Sequence, residues 1–479
     1  MNIIETHKKE IIEFYDKIAP EREKWVKKSQ YYYDYLAGIL KFIVEPGFKV
    51  LMMRSDTGFL LDTLHPSLGV GVDYSEKLVE IAAKKYPNYR FIYEKNLERL
   101  DITEKFDYIV LPNFLDDIYD VQPIFFGLKR IATEKTRLVL INHNTAWEPF
   151  MRLAEKLGMK MPQKTLNWLS IPDIRNILNL CGFEVVKTNY AVLCPMYIPV
   201  VSFVFNKILA GLPLLKRLCF TQVLVAKKIA QKEDYNYADY RVSVVIPCKN
   251  EEGNIADAVK RIPQMGKGTE IIFVDDKSTD GTRAEVQKWQ AAHPEKNIKL
   301  VDGPGVCKAK AVWAGYEAAT GDILMILDGD LTVMPEELPL FFRAIVEGRG
   351  EFINGSRQIY PMEGEAMRTL NILGNKFFSA AFSYILGQRI KDTLCGTKVL
   401  WHDDFLKMKK YVGTWGTPDR WGDYDLLFGA AKLNLKIVDL PVHYVERIYG
   451  ETKMKKRFKN GVIMLKQCWA AFKKFKLSI

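Results

Sequence analysis

Two carboxylates one residue apart are the feature of the sequence that most directly suggests chemistry. Asp328 and Asp330, on either side of Gly329, directly follow the apolar run 323–327. Such a run is typical of a buried parallel strand, and open α/β sheets place their ligands at the carboxyl ends of these strands. A divalent cation carrying nucleotide phosphates would relieve the repulsion between the two carboxylates. The alternative interpretation is an ordinary polar loop after a strand.

Other apolar runs in the sequence also end on acids, and strands of this kind are the elements that would position such a site. In the second half of the chain, the apolar run 270–274 precedes Asp275 and Asp276. In the first half, the run 69–72 precedes Asp73. Strands and helices alternate along the first half, which predicts a parallel, doubly wound sheet there.

A polar stretch at residues 230–240 divides the chain. Its composition predicts a linker, and a new apolar strand begins directly after it. We therefore predict two Rossmann-like α/β domains, one at 1–229 and the other at 241–453. Residues 454–479 are predicted to form a basic amphipathic helix after the second domain.

The composition indicates a globular protein with sizeable cores and a positive charge. Of 479 residues, 48% are hydrophobic and 27% are charged, and the formal net charge is +11. This charge suits nucleotide phosphates or an anionic membrane surface; because no nucleic-acid motif is present, we expect no nucleic-acid partner. The seven cysteines show no zinc-binding spacing, and the N-terminus lacks the apolar core of a signal peptide. Both observations favour a cytoplasmic protein with reduced thiols.

The order of motifs in the first half is similar to that of a known enzyme family. A turn at 54–58 follows the first strand, the second strand ends at Asp73, and a further strand is predicted at 106–111. In this order, residues of about 15–228 resemble the class I methyltransferases that use S-adenosylmethionine. The resemblance implies that Gly58 lies in the cofactor loop and that Asp73 accepts hydrogen bonds from the ribose hydroxyls.

The same region departs from the family pattern at several positions. Arg54 and Asp56 occupy places where the family has glycines, which let the backbone approach the ligand closely. Met52 replaces the usual acid of the first strand, and Asn96 stands where an acid often holds the adenine. Two interpretations stay open: an active methyltransferase that binds S-adenosylmethionine, or a retained scaffold that orients or docks the second half.

The second half contains a longer series of motifs. They are residues 242–252, 274–282, 328–330, 354–357, 392–398 and 446–453. In order and spacing they resemble glycosyltransferase family 2, and the last three resemble its polyprenyl-phosphate branch, which includes the dolichyl-phosphate mannose synthases. The resemblance covers about 240–465 and implies a GT-A-type sheet that binds a nucleotide sugar, with Mg²⁺ or Mn²⁺ as the cofactor.

The resemblance implies a donor site at individual positions of these motifs. The residues implied in nucleotide-sugar binding are Pro247, Lys249, Glu251, Asp275, Asp276, Lys308, Asp328, Gly329 and Asp330. Asp328 and Asp330 also match the metal site of the family. The branch often has a glutamine or histidine two residues later, where this chain has Thr332.

A further set of matches concerns catalysis and the acceptor. Arg357, Arg447 and Lys453 match basic residues that hold the phosphates of donor and acceptor. Asp425 matches a late acid of the family, and Asp423 could share its role. For a hydroxyl acceptor Asp425 would be the general base, whereas a phosphate acceptor needs no base.

Two segments carry apolar surface that the predicted sheets do not use. Residues 188–206 contain no charged side chain, and their apolar character continues to residue 220. We expect a hydrophobic helical insertion at about 188–220 that lies on a membrane or covers a neighbouring domain. The C-terminal segment 454–479 spaces apolar residues among lysines, which is typical of a helix on anionic lipid. Packing of that helix on its own domain is the alternative.

These observations predict an inverting, metal-dependent glycosyltransferase that moves a sugar from a nucleotide diphosphate to a lipid phosphate. We expect it at the cytoplasmic face of the membrane, in peripheral contact with anionic lipid. Three alternatives stay open. They are transfer to a sugar hydroxyl in cell-surface glycan synthesis, a bifunctional glycosyltransferase and methyltransferase, and a membrane-docked scaffold without activity.

Overall fold

The chain is built from two compact units, each around its own sheet. A computed structural model describes residues 3–164, 167, 169–230, 235–359, 369–416, 418–447, 449–450 and 457–477. The first unit is Met1–Ile229 with Lys476–Ile479, and the second is Ala230–Phe475. Over the described residues each unit contains one seven-stranded sheet. This architecture confirms the prediction of two α/β domains, while the linker at 230–240 is described only in part.

The sheet of the first unit has the strand order β3-β2-β1-β4-β5-β7-β6. Its strands are β1 Lys49–Met53, β2 Leu68–Asp73, β3 Arg90–Tyr93, β4 Tyr108–Pro112, β5 Arg137–His143, β6 Phe183–Ala191 and β7 Thr221–Lys228. The helices are α1 Ile3–Ile18, α2 Arg22–Lys28, α3 Gln30–Ile43, α4 Phe59–Thr63, α5 Glu76–Lys85, α6 Gln122–Ile131, α7 Glu148–Lys156, α8 Ile171–Leu180 and α9 Val201–Phe203. Parallel pairing of β1 with β2 and β4 places their carboxyl ends at one edge.

The first sheet is mixed rather than wholly parallel, which corrects the prediction. β7 runs antiparallel to both β5 and β6. Ala191 at the end of β6 pairs with Thr221 at the start of β7, so the chain leaves and re-enters the sheet at the same edge. A neighbouring strand that returns from that edge has to run in the opposite direction.

The hydrophobic insertion between β6 and β7 is not one continuous helix. It contains α9, a π-helical turn Val204–Ile208 and 3₁₀ turns Leu209–Gly211 and Lys216–Leu218. Pro199 and Pro213 flank these turns and lack the N–H that a longer helix would need. The predicted helical character is therefore present only as short pieces.

The sheet of the second unit has the strand order β10-β9-β8-β11-β13-β12-β14. Its strands are β8 Arg241–Cys248, β9 Gly268–Asp275, β10 Ile298–Asp302, β11 Ile323–Ile326, β12 Phe352–Ser356, β13 Lys398–Trp401 and β14 Ile437–Pro441. The helices are α10 Glu252–Arg261, α11 Thr282–Ala292, α12 Lys308–Ala318, α13 Leu338–Val346, α14 Thr369–Leu386, α15 His402–Met408, α16 Tyr424–Lys432 and α17 Arg457–Phe472. β13 runs antiparallel to β11 and β12, so this sheet is mixed as well.

Burial on both faces explains the continuous apolar strands at the centre of the second sheet. All four residues of β11 are buried, and Met325 lies opposite Val244 of β8. Helices cover both faces of such a sheet, which removes the polar alternation of a half-exposed strand. The predicted run 323–327 therefore matches β11, and the backbone N–H of Leu327 still donates to Val245 O at 3.0 Å.

The C-terminal helix α17 carries apolar residues on two faces. Met464 and Cys468 are buried on the side that packs against α14. The predicted apolar stripe, which includes Val462, Leu465 and Trp469, is about half exposed. The helix therefore packs on its own domain and leaves that stripe uncovered. None of the helices in the described part of the chain is long and apolar enough to span a membrane.

Candidate functional site

The carboxyl ends of three neighbouring strands form one edge of the second sheet. β8 ends at Cys248, β9 at Asp275 and β11 at Ile326, and β8 pairs with both of the others. The loops after β8 and β11 come very close together at this edge. A Cβ atom added at Gly329 would lie 3.0 Å from the Pro247 carbonyl oxygen. Glycine therefore permits the close packing that places the two predicted metal ligands at the sheet edge.

The carboxylates of Asp328 and Asp330 each lie against a basic side chain. Lys308 Nζ is 2.5 Å from Asp328 Oδ1, and the Arg447 guanidinium contacts the Asp330 carboxylate. Burial opposes the charged form of Asp328, but the Lys308 ammonium outweighs it and leaves the pKa of that carboxyl below its ordinary value. Thr332 holds Asp330 as well, since its N–H and its hydroxyl donate to Oδ1 at 3.2 and 2.9 Å. Groups distant in sequence thus fix both acids.

A bidentate ion pair orients Arg357. Its Nε donates to Asp392 Oδ2 at 2.8 Å, and its Nη2 donates to Asp392 Oδ1 at 2.9 Å. Asn375 Nδ2 also donates to Asp392 Oδ1, at 2.8 Å. Burial opposes the ionised form of Asp392, yet these donors hold the pKa of its carboxyl well below the usual range. Arg357 is near enough to Asp328 to favour the charged form of that acid too, so it belongs to the same cluster.

Lys398 is a buried member of this cluster for which the sequence predicted no role. Its Nζ is 2.9 Å from Asp423 Oδ1 and donates to Asn354 Oδ1 at 3.1 Å. Burial raises the pKa of the Asp423 carboxyl, and the nearby charges of Lys398 and Lys308 partly offset that rise. A lysine inside an apolar strand is rare unless it is paired, and this was the signal available in the sequence.

Asp425 has different neighbours from Asp423. Its side chain is buried, and its backbone N–H donates to Asp419 Oδ2 at 3.1 Å. Burial and the repulsion by Asp419 raise the pKa of the Asp425 carboxyl to about 7. The cation that acts on it is Lys310, whereas Asp423 lies near Lys308. The structure therefore brings Asp423, rather than Asp425, to the charged cluster.

The acids predicted to contact the base and ribose hold the surrounding loops. Asp275 Oδ1 accepts from the N–H of Ser278 at 3.0 Å, and Asp276 Oδ1 accepts from the N–H of Gly305 at 2.6 Å. Glu251 is 3% exposed. These three acids are mostly buried, so they shape the wall of the edge, and their role as nucleotide ligands stays a prediction.

The remaining predicted residues have separate positions. Lys249 is exposed in the turn after β8, and Lys453 lies outside the described residues. Gly396, which the sequence analysis did not single out, packs directly against Asp328, and a Cβ atom there would overlap the carboxylate. The predicted residues that the structure brings together are Lys308, Asp328, Gly329, Asp330, Arg357, Asp423 and Arg447.

Comparison with known families identifies the domain around this cluster. Residues 243–423 match the model of glycosyl transferase family 2. The chain carries a glycosyl transferase family 2 domain. This confirms the resemblance of the second half, and the matched range contains the strand edge with Asp328 and Asp330.

Relatives of the family 2 domain cover different shares of the chain. Dolichol-phosphate mannosyltransferase of Pyrococcus furiosus is 35% identical over 121 residues, which are 25% of this chain and 34% of that protein. Glycosyltransferase AglJ of Haloferax volcanii is 29% identical over 226 residues, which are 47% of this chain and 70% of that protein. The chain thus spans about a third of the Pyrococcus relative.

A solved methyltransferase overlays the first half. The S-adenosylmethionine-dependent methyltransferase of Thermotoga maritima covers 46% of this chain and 99% of its own, with 16% identity and a TM-score of 0.36. The strand order of the first sheet, with the antiparallel β7 between β5 and β6, is what confirms the doubly wound fold predicted for this half.

The carboxylates at the second edge are of the kind that can hold a divalent cation. In the described ranges, no three His, Cys, Asp or Glu side chains converge as a metal cage made by protein alone would require. Mg²⁺ is commonly held by one or two carboxylates together with substrate phosphates. Asp328 and Asp330 supply such a pair of carboxylates at the sheet edge.

Side chains of the first unit bond across the corresponding edge of the first sheet, beside a cavity lined by Arg54, Asp56 and Asn113. Arg54, directly after β1, donates through Nη1 to Asn113 O at 2.6 Å beyond the end of β4. Its Nη2 lies 2.9 Å from Asp117 Oδ2, which also accepts from the hydroxyls of Tyr15 and Tyr74 at 2.8 Å each. Arg54 thus crosses the strand ends and closes a buried polar network.

The acid that the resemblance places on the ribose is not accessible at this first edge. Asp73 is fully buried, and its carboxylate accepts from the backbone N–H groups of Asp56 and Ser75 at 2.9 and 3.0 Å. Burial raises the pKa of Asp73 to about 6. A ribose diol needs carboxylate oxygens that face open space, and the buried Asp73 does not offer them, although a cavity lies beside Arg54 and Asp56. Cofactor binding by Gly58 and Asp73 therefore stays a prediction that the geometry disfavours.

Proposed function

We propose that the chain transfers a sugar from a nucleotide diphosphate to a lipid phosphate, with inversion at the anomeric carbon. The observation that carries this proposal is the arrangement of Lys308, Arg357 and Arg447 around Asp328 and Asp330. Paired acids and basic side chains at one edge suit two substrates that both carry phosphate. The relative named for dolichol phosphate supports a phosphate-bearing lipid as the acceptor.

The donor would bind at the edge formed by β8, β9 and β11. Asp328 and Asp330 would hold Mg²⁺ or Mn²⁺ against the diphosphate, and the bound cation would stabilise the negative charge of the leaving group. Lys308 and Arg447, which lie against these acids, are placed to turn to the phosphate oxygens. The loops that carry Asp276 would line the nucleotide.

The acceptor phosphate would approach from the side of Arg357. Asp392 fixes this guanidinium, so little side-chain freedom is lost when it binds a phosphate. An ionised phosphate oxygen forms the new bond to the anomeric carbon while the bond to the diphosphate breaks on the opposite face. No proton is removed in this step, so no general base is needed. Lys453 would add a second contact to phosphate.

Transfer to a sugar hydroxyl is the second candidate; the raised pKa of Asp425 supports it, whereas the position of Asp425 away from the charged cluster does not. A carboxyl whose pKa is about 7 can act as a general base near neutral pH. Loss of a general base typically lowers the rate ~10²- to 10⁴-fold. The Asp425→Asn variant therefore separates the two acceptors, since transfer to phosphate should change only a few-fold.

Contact with an anionic membrane would bring the lipid phosphate to the site. Val462, Leu465 and Trp469 of α17 are about half exposed, and Lys466 and Lys473 are exposed beside them. Apolar side chains among lysines suit the headgroup region of an anionic bilayer. This supports a peripheral position at the cytoplasmic membrane face.

Product extraction tests the proposed reaction. The full chain is incubated with Mg²⁺, a panel of labelled nucleotide sugars and a polyprenyl phosphate, and the label is then extracted into organic solvent. We expect extractable label with at least one donor, and none without the lipid phosphate. Transfer to a water-soluble sugar instead, with no label in the organic phase, would contradict the phosphate acceptor.

A further inference from the structure

We propose that the apolar insertion of the first unit, residues 192–220, docks on an anionic lipid bilayer. This proposal goes beyond the proposed transfer reaction, because the insertion belongs to the first unit and the proposed sugar-transfer site belongs to the second. Large apolar side chains are exposed along the whole segment. They are Met196, Tyr197, Ile198, Val200, Val201, Phe203, Phe205, Ile208, Leu212, Leu214 and Leu218. Leu214 is 90% exposed, and so dense a series far exceeds the scattered apolar residues of an ordinary surface.

Between residues 196 and 218 of the insertion, small and polar side chains are buried and most large apolar side chains are exposed. Ser202, Asn206 and Ala210 follow one another at intervals of four residues, and all three are buried. Their neighbours Phe203 and Phe205 point outward, with 61% and 42% exposure. A segment folded against water would bury the phenylalanines instead. The arrangement is therefore suited to an apolar environment outside the protein.

Asn206 stabilises this arrangement by satisfying backbone groups of the insertion. Its Oδ1 accepts from the N–H groups of Leu193 and Cys194, both at 2.7 Å. Its Nδ2 donates to Cys194 O at 2.7 Å and to the Tyr31 hydroxyl at 3.1 Å. Polar backbone groups next to lipid need such internal partners, because the hydrocarbon offers none.

The end of the insertion is fixed to the rest of the first unit. Asn144 Nδ2 donates to Arg217 O at 2.8 Å and to Cys219 O at 2.9 Å. Trp147 Nε1 donates to Leu218 O at 2.8 Å. A surface that is already formed before binding loses little conformational entropy on contact. The insertion is thus a fixed surface rather than a loose loop.

The charges of the insertion favour anionic lipid over a second copy of the same surface. The sequence contains no Asp or Glu between Glu184 and Glu233, whereas Lys207, Lys216 and Arg217 lie within the insertion. Like charges would repel across a symmetric contact between two copies, but they are attracted to the negative surface of an anionic leaflet. Aromatic side chains among these cations add the composition of an interfacial segment.

Vesicle sedimentation with the full chain tests the proposal. We compare vesicles of phosphatidylcholine alone with vesicles that contain phosphatidylglycerol, without nucleotide sugar. We expect preferential binding to the anionic vesicles. The double substitution Phe203→Glu with Leu214→Glu should weaken this binding by roughly tenfold or more. Because the readout is binding, a failed transfer reaction would leave this result interpretable.

The matched control places the same charge on other exposed residues of the first unit. Phe126 is 50% and Leu180 is 61% exposed, and Phe126→Glu with Leu180→Glu should bind vesicles as the unmodified chain does. If the double insertion variant fails to fold, Leu214→Glu alone serves, since that side chain has few contacts to lose. Equal vesicle binding by the insertion and control variants, or no binding by the unmodified chain, would overturn the proposal. The proposal would also be overturned if the unmodified chain formed a dimer and did not bind vesicles, and if the insertion variant were a monomer.

Discussion

The carboxyl edges of the two sheets hold similar residues, but the ion pairs at the two edges differ in how far they are exposed to solvent. At the first edge, the side chains of Arg54 and Asp117 form an ion pair and are 12% and 2% exposed. At the second edge, the paired side chains of Lys308 and Asp328 are 30% and 28% exposed. A buried pair with further hydrogen bonds is costly to open, whereas a partly hydrated pair can exchange its partner. The same fold class therefore gives one edge whose ion pair lies in a buried network and one whose ion pair is partly exposed.

The comparison separates fold from function within one chain. Both sheets place acids at the ends of parallel strands, as doubly wound sheets generally do. At the first edge, the Asp73 carboxylate accepts hydrogen bonds from the backbone N–H groups of Asp56 and Ser75. At the second edge, the Asp328 carboxylate forms an ion pair with the Lys308 side chain. What distinguishes them is the partner of the acid, not the strand that carries it.

The largest expected effect comes from removing the acids at the second edge. Asp328→Asn with Asp330→Asn should lower sugar transfer at least ~10³-fold, because the stabilisation of the leaving diphosphate is lost. The matched change at the first edge, Asp73→Asn, should leave transfer unchanged. Both rates are measured with the same labelled donor and saturating Mg²⁺. Full activity of the double variant in the presence of a chelator would refute the assignment.

Breaking one ion pair at each edge should affect stability unequally. Arg54→Ala leaves the buried Asp117 without its cation and should destabilise the first unit by ~3 kcal/mol or more. Lys308→Ala removes one cation from Asp328, which is 28% exposed and still lies in the field of Arg357 and Lys398, and should cost only ~1 kcal/mol. Hydrogen exchange with mass spectrometry follows each unit separately. A larger loss of stability in the Lys308 variant than in the Arg54 variant would contradict the proposed difference between the two ion pairs.

Buried acids of the two units should respond to pH over different ranges. Burial raises the pKa of Asp425 to about 7 and that of Asp73 to about 6. Each folded unit therefore favours the protonated acid, so its contribution to stability is greatest at low pH and falls as the pH rises. The free energy of unfolding of the unmodified chain, relative to that of Asp425→Asn, should fall as the pH rises from about 4 to about 7. Relative to that of Asp73→Asn, it should fall from about pH 4 to about 6.

Unfolding in urea at several pH values measures these differences. Subtracting each asparagine variant from the unmodified chain removes the contributions of all other groups. A flat difference for Asp425 would show that its carboxyl titrates normally, and the case for Asp425 as a general base would then weaken.

The smallest expected effect is that of S-adenosylmethionine on the first unit. Because Asp73 is buried and already bonded, and Arg54 is held by Asp117 and Asn113, we expect no shift in the melting temperature at millimolar cofactor. A nucleotide sugar with Mg²⁺ in the same plate should raise the melting temperature through binding to the folded state. Micromolar affinity for S-adenosylmethionine would restore the bifunctional alternative.

The sequence predicted the strand ends well because apolar runs and terminal acids are local signals. β1 ends directly before the predicted turn at 54–58, and the run 323–327 contains β11 with the two acids beyond it. The direction of β7 was not predictable in this way, because strand direction depends on where the chain returns. The motifs of the second half supplied information on long-range contacts that local patterns do not contain.

The partners of the charged residues were the least predictable part of the site. Asp328 and Lys308 are separated by 20 positions, and Asp330 and Arg447 by 117. The loss of glycine at Arg54 was visible in the sequence, but the path of its side chain to Asp117 was not. Likewise, only the fold shows that Asn206 lies inside an apolar segment. Such pairings arise from packing, which no local spacing determines.

The pairing of acids and bases at the second edge also has a consequence for the order in which ligands enter. Lys308 and Arg447 already balance the charges of Asp328 and Asp330. A free metal ion would have to displace two cations with nothing to receive them, and a free anion would have to displace two acids. A metal–nucleotide complex brings both signs at once, so each displaced residue gains a new counter-ion. The second edge would therefore bind the metal–nucleotide complex in preference to the free metal ion or the free nucleotide.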